Sequence, residues 1–338
     1  MSQVAERQET LAGAFEAFRL DPAFGPAWLA ESREAAFARF RERGLPTARD
    51  EEWRYTSVAP KAVVDTPLHV LSVIVPGSQP TLVAPRLTIE AREGAQVTLI
   101  ESYATLGAGT ALTAAVTDVR LDAGAVVNHV KIQRESSSVF HLASTFVRCD
   151  RASTFTSQAI TFGGRIARND IMTVLDGEGA ECTLNGLYLA DGDSLVDTHT
   201  TIDHAKPHCP SHEVYKGILA GKSRAVFNGK IIVRPDAQKT DAKQTNKALL
   251  LTDDARINTK PQLEIFADDV KCTHGAAIGQ LDEDAMFYLR ARGVAEIDAR
   301  SMLIHAFAGQ VLEGIKVDAV REKVQQVMDE KLSIQTGH

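Results

Sequence analysis

The sharpest chemical constellation in the chain is "VKCTHGAAIGQ", where Cys272 and His274 stand two residues apart beside Gly275. On a strand, such residues point to the same face, so a thiolate and an imidazole would be presented together. That pair suits iron, other soft metals, or the edge of an iron–sulfur cluster. Two donors do not complete a coordination shell, so from spacing alone a buried cysteine beside a hydrogen-bonded histidine is the preferred reading. A second concentration is "VDTHTTIDHAKPHCPSHEVYKG", which holds His199, His204, His208, Cys209 and His212. Pro207 and Pro210 interrupt strand pairing there, so the expectation is an irregular surface loop with hydrogen-bonding roles, and metal binding is the lesser reading. A third stretch, "GILAGKS" at 217–223, resembles a phosphate-binding loop but has three residues between its first Gly and Gly221 where that motif needs four. It is followed by "RAVFNGKIIV", a β-branched run, and so lacks the helix N-terminus that would hold a phosphate. It reads as a turn with Lys222 in solvent. No G-x-S-x-G, H-E-x-x-H or G-x-G-x-x-G pattern occurs, and Trp53 and Tyr55 of "DEEWRYT" read as packing anchors.

These residues need elements to position them. From about 86 to 279 short apolar runs are separated by a recurring Gly- or Asp-led turn, as in "EGAQVTLI", "DAGAVVNHV", "GEGAECTL" and "ADDVKCT". Markers at Gly94, Gly124, Arg151 and Gly179 are 30, 27 and 28 residues apart; those at Gly221, Asp236, Asp254 and Asp269 are 15, 18 and 15 apart. The short step near 14–15 is read as one rung of a β-solenoid. An antiparallel sandwich is the competing architecture, and the double step and scarcity of aromatics favour the solenoid. Residues 1–60 are charged and helical in pattern, and 61–85 form an extended, proline-broken connector. From 280 to 338 three helices follow: one after Asp282 as N-cap and ending at Gly293, one over "AEIDARSMLIHAFAGQVLEGI", and one striped by Val320, Val324, Val327 and Met328. Such helices can cover the open end of a solenoid or dock a partner.

The 338 residues carry a net charge of −7, which gives no general attraction to nucleic acid or anionic lipid. No apolar run approaches a membrane span, and the N-terminus is not patterned as a signal peptide, so cytoplasm is the expected compartment. Cys149, Cys182, Cys209 and Cys272 are scattered, which argues against a disulfide framework or a structural zinc site.

The stretches "ARDEEWRYTSV" (48–58), "PSHEVYKGIL" (210–219), "FNGKIIVRPDAQKTDAKQTNKALLL" (227–251) and "KPQLEIFADDVKCTHGAAIGQLDEDAMFYLRARG" (260–293) resemble the SufB/SufD family of iron–sulfur cluster assembly proteins, most closely its SufD branch. The resemblance implies a right-handed parallel β-helix with helical ends. It implies a scaffold without catalytic residues, pairing with a SufB-like subunit and docking a SufC-like ATPase through the C-terminal helices. It further implies His274, then Cys272, as the residues that help hold iron or a transient cluster at the SufB–SufD interface, with no cofactor held stably by the isolated chain. A homodimer is expected for the chain alone. The competing functions are a self-associating structural solenoid without a metal role and a secreted polysaccharide-acting β-helix enzyme; two tryptophans, both before residue 60, and no export signal weigh against the enzyme.

Overall fold

A computed structural model describes residues 66–335. The expected N-terminal helical region, 1–60, and its Trp53 and Tyr55 lie outside the described residues. Sixteen strands run in chain order: β1 (Leu68–Ile74), β2 (Thr81–Val83), β3 (Arg86–Ala91), β4 (Gln96–Thr105), β5 (Ala111–Leu121), β6 (Val126–Arg134), β7 (Val139–Cys149), β8 (Thr154–Thr161), β9 (Ile166–Leu175), β10 (Glu181–Ala190), β11 (Leu195–His204), β12 (Pro210–Leu219), β13 (Arg224–Val233), β14 (Asp241–Leu250), β15 (Arg256–Ile265) and β16 (Lys271–Gly279). Helices α1 (Glu283–Ala291), α2 (Glu296–Glu313) and α3 (Asp318–Gln335) follow.

All strand pairings are parallel, and they sort into two eight-stranded sheets. One sheet runs β1-β4-β6-β8-β10-β12-β14-β16; the other runs β15-β13-β11-β9-β7-β5-β2, with β3 also on β5. Alternate strands belong to alternate sheets, so the chain coils as the parallel β-helix the sequence implied. The connector expected over 61–85 supplies β1 and β2, which pair into both sheets.

The length of a rung corrects the reading of the repeat. Thr154 pairs with Glu181, Cys182 with Ser211 and Asp241 with Lys271, separations of 27, 29 and 30 residues. A rung is therefore the long step, with one strand in each sheet. The short step is half a rung, because its markers alternate between the two corners of the coil. At one corner Gly94, Gly124, Ala152, Gly179, His208 and Lys239 all have positive φ. The amide of each donates to a carbonyl in the next turn: Gly124 to Arg151, Ala152 to Glu178, Gly179 to Pro207, His208 to Gln238 and Lys239 to Asp269. The turns are thus hydrogen-bonded to one another as the strands are.

"GILAGKS" belongs to the other corner. Gly217–Leu219 end β12, and Ala220–Ser223 turn into β13. Gly221 has φ +63°, and a Cβ there would lie 2.9 Å from the amide nitrogen of Gly192 in the turn of the preceding rung. Glycine meets both the left-handed conformation and the close approach. Lys222 is exposed, and no helix follows.

Alternation along each strand builds the interior. Ala125, Val127, Phe155, Leu175, Cys182, Leu184, Ile202 and Phe227 form one apolar cluster between the sheets. Of the two roles open to the terminal helices, covering the open end is not the one α2 and α3 take. They pack on the outer face of the β10–β12 sheet, where Ile304, Ala308, Val311, Leu312, Val324 and Met328 meet Ile100, Val130, Ile160, Leu187 and Ile218. Lys216 Nζ donates to the Phe307 carbonyl at 2.8 Å and ties α2 to β12. No helix among the described residues is long and apolar enough to cross a membrane.

The interior also holds charge. Glu101, His129, Lys131, Glu135 and His141 are all buried within the early rungs. Thr117 donates to Glu101 at 3.0 Å, Lys131 Nζ to Asn169 Oδ1 at 2.9 Å, and Gln133 Nε2 to Glu135 Oε2 at 3.0 Å; His141 Nδ1 lies 2.8 Å from Glu135 Oε2. Burial alone would raise Glu101, but the His129 hydrogen bond, Lys131 and Tyr103 outweigh it and hold its carboxyl far below the usual range.

Two outcomes follow from this interior. Lys131→Met removes the buried cation whose charge acts on Glu101 and Glu135 and takes the donor away from Asn169, and is expected to cost about 1–3 kcal/mol of unfolding free energy; denaturant titration giving a loss under about 0.5 kcal/mol would contradict the network's role. Burial holds His204 down from 6.5 to about 4. It stays neutral in the folded chain while the unfolded chain takes up a proton near 6.5, so stability falls as pH drops from about 6.5 to 4. The loss is about 3 kcal/mol at 1.36 kcal/mol per unit, and His204→Leu should flatten that part of a stability-against-pH curve.

Candidate functional site

β16 is the last strand of its sheet and β15 the last of the other, so the final rung leaves a free strand edge on both sides. Cys272 pairs with Ala242 and His274 with Gln244. Ala242 and Gln244 point inward and are buried, so Cys272 and His274 continue the inward rows at the point where no further rung covers them. The lumen face of the coil becomes, at this rung, an accessible surface. Cys272 is half-buried and His274 exposed, as the pattern over β16 records. Burial raises the Cys272 thiol and Asp241 adds to this, while the Ala242 backbone hydrogen bond opposes it. A cation nearby would be needed to draw out the thiolate.

The two residues are brought to one face, as their spacing predicted. Gly275 has nothing within 4 Å of where a Cβ would stand, so the strand beside them is open. Ile265, Phe266 and Ile278 expose 41, 62 and 49 % of their surface on the same rung, enough to make that edge apolar as well as unpaired. Among the described residues no group of three or more His, Cys, Asp or Glu is placed to hold a metal ion. The chemistry this arrangement offers is one sulfur and one imidazole, to be completed by donors from elsewhere.

The histidine-rich stretch is not an irregular loop. His199 and His204 lie on β11, His212 on β12, and only 205–209 form the turn between them. Pro210 is tolerated because it is the first residue of its strand. His204 is fully buried, with its Nε2 3.0 Å from Ser211 Oγ. His199 sits on the outer face, 3.0 Å from Asp197 Oδ1. His212 is exposed and His208 occupies the left-handed turn position. The alternation separates these side chains onto opposite faces, which removes the shared geometry a metal would need. Cys209 is buried and donates to the Gly177 carbonyl at 3.3 Å. Cys149 and Cys182 are likewise buried in the apolar cluster, so three of the four cysteines pack as small hydrophobes.

What sequence reading missed lies behind the site. Glu213 and Gln244 occupy the inward row that ends at His274, Glu213 pairing in register with Gln244 and Gln244 with His274. Both are 1 % exposed, and Gln244 Nε2 donates to Glu213 Oε2 at 2.7 Å. Their residue types signal surface. Only the inward phase of "SHEVYKG" and "DAKQTNKA", fixed by rung register, reveals them.

Helix α1 starts at Asp282, whose side chain accepts from the Ala285 amide, and none of its residues is buried. Phe287 and Tyr288 are 75 and 55 % exposed, while Met286 and Leu289 are half-buried.

Comparison with known proteins gives the same family. Residues 73–307 match the family described as SUF system FeS cluster assembly, SufBD core domain. An iron–sulfur cluster assembly SufBD family protein of Synechocystis is 36% identical over 269 residues, 77% of this chain and 59% of that protein. The iron–sulfur cluster assembly protein SufD of Escherichia coli is 37% identical over 236 residues, 70% of this chain and 56% of that protein. A chloroplastic protein of Arabidopsis thaliana, ABCI7, is 33% identical over 241 residues, 71% of this chain and 51% of that protein. The matched region thus spans little more than half the length of these relatives. A parallel β-helix, the Cys-x-His-Gly end strand and this family match together lead to one conclusion: the chain belongs to the SufBD family of iron–sulfur cluster assembly proteins, close to SufD.

Proposed function

We propose that the chain is the SufD-type scaffold of an assembly that also contains a SufB-type solenoid and a SufC-type ATPase. The observation that carries this is the free β16 edge with Cys272 and His274 on one face. A row of unpaired strand N–H and C=O groups is a template for a further strand. A second solenoid ending in a like edge would continue the hydrogen-bond ladder and bury Ile265, Phe266 and Ile278. Cys272 and His274 would then sit at a seam, where the second chain adds the missing donors and a nascent cluster or its iron is held as cargo. Alone, the same edge closes on a second copy of the chain. The chain itself turns nothing over, and no cofactor is its own.

The ATPase would dock on α1 and α2, where Phe287 and Tyr288 offer exposed aromatic anchors of the kind that dominate interfaces. Motion there reaches the solenoid through Lys216 and the α2 packing on β12. The compartment is the cytoplasm, with no nucleic-acid or membrane partner.

His274→Ala should leave the three-part complex intact on co-expression under anaerobic conditions but deprive it of most of its iron and acid-labile sulfide. Wild-type iron content in a complex of normal composition would sink the seam reading. Phe287→Ala with Tyr288→Ala should weaken retention of the ATPase at least tenfold, the scale of an interface anchor worth about 1.4 kcal/mol or more, while leaving solenoid pairing unchanged. Unaltered retention would move the docking site elsewhere.

A further inference from the structure

Gln244 has one end of its amide bonded and the other bare. Its Nε2 is committed to Glu213, and its Oε1 is buried with no hydrogen-bond partner among the described residues. An unpaired buried acceptor loses its hydration without compensation, and such exceptions call for an explanation. The side chain is not squeezed there by accident. Across the lumen stands Gly229, where a Cβ would come 2.3 Å from Gln244 Nε2 and 2.7 Å from its Cδ. The absence of a side chain on β13 is what leaves room for the amide.

The neighbour of Gln244 toward the open end is His274, in register and on the same face, one strand spacing of about 4.8 Å away. An ionised carboxylate only accepts hydrogen bonds. Glu213 therefore fixes the amide with its NH2 turned inward, and the carbonyl oxygen remains for the next donor along the row.

We propose that Gln244 is a positioning residue for His274: its Oε1 accepts the N–H of one imidazole nitrogen and leaves the lone pair of the other facing the open end of the solenoid, with Glu213 holding the amide in that orientation. An imidazole that donates from one nitrogen to a carbonyl is the arrangement that sets the tautomer of a metal-binding histidine and raises its basicity. The occupant is a soft or borderline divalent cation such as Fe²⁺, bound through the free nitrogen. This rests on His274 being a ligand, as proposed above, but the tautomer itself does not.

The test is therefore made on the full-length chain without metal. Burial pushes the Glu213 carboxyl up to about 7, the Thr200 and Gln244 hydrogen bonds opposing; Tyr215 and Cys182 are the other titratable groups coupled to it. At pH 8 the carboxylate form dominates. Long-range proton–nitrogen correlation spectra of histidine-labelled protein, with His274 assigned from its loss in His274→Ala, read which ring nitrogen carries the proton. The wild type should show one tautomer in large excess. Glu213→Gln, which lets the amide turn, and Gln244→Leu, which removes the acceptor, should both shift His274 toward the mixture of a free imidazole. Glu213→Gln preserves volume and so supplies the answer even where Gln244→Leu does not fold. Co²⁺ affinity of the SufB–SufD-type complex should drop about 10- to 100-fold in either variant. The same His274 tautomer ratio in wild type and folded Glu213→Gln would overturn the proposal, while leaving the His274→Ala test of the seam untouched.

Discussion

Everything in this molecule depends on the in-register parallel ladder that stacks one rung on the next. Each strand inside a sheet hydrogen-bonds two neighbours that are each one rung away in sequence, and each turn at the left-handed corner bonds the turn beyond it. In a parallel stack without shear, like positions lie above like positions. A side chain is therefore flanked by its equivalents on the neighbouring rungs, 29, 31 and 30 residues apart along the row Leu184, Glu213, Gln244 and His274. Rows, not individual contacts, are the unit of packing.

The interior rows are not uniformly apolar. Toward one corner, Val127, Phe155 and Cys182 make a dry column; alongside it run rows of acid, base and amide. Burying charge is costly unless partners are in place. Here they are: Glu101 is met by His129, Thr117 and Tyr103, and Glu135 by His141, Gln133 and Thr113. Large rings also need vacancies. Gly186 and Gly217 lie where a Cβ would strike Tyr215 at 2.1 Å and Tyr188 at 2.3 Å, so each ring stacks over a glycine on the adjacent rung. The row that emerges at the open end is thus the visible end of a polar interior, and the residues behind Cys272 and His274 are as specific as the pair itself.

Helix α2 is joined to the solenoid by packing and by two hydrogen bonds. The α2–α3 pair covers the outside of the same sheet whose inside carries the polar rows. A displaced α2 acts on β12 through Lys216 and on the β14–β15 turn through Arg300, which donates to the Leu251 carbonyl at 3.2 Å. Close-packed interfaces transmit small shifts because they do not deform continuously.

Much of this was legible in residues 86–338. Gly- and Asp-led turns have a local cause, the backbone conformation they permit, so the solenoid and its corners could be read directly. Helix boundaries were legible for the same reason, in Asp282 and in the Val324–Met328 stripe. The Cys272–His274 pair was legible because a two-residue spacing on a strand needs no long-range information. Rung length was not, since both corners carry similar turn residues and local chemistry cannot say which corner a turn occupies. The histidine-rich stretch was misread because Pro210 breaks a strand only when its missing N–H would have been used. Sequence by itself thus determined the coil of short strands, the three C-terminal helices and one sulfur–imidazole pair. Tertiary structure alone decided that the pair ends a buried row behind which Glu213 and Gln244 stand, because inward or outward phase is set by register with a strand some thirty residues away.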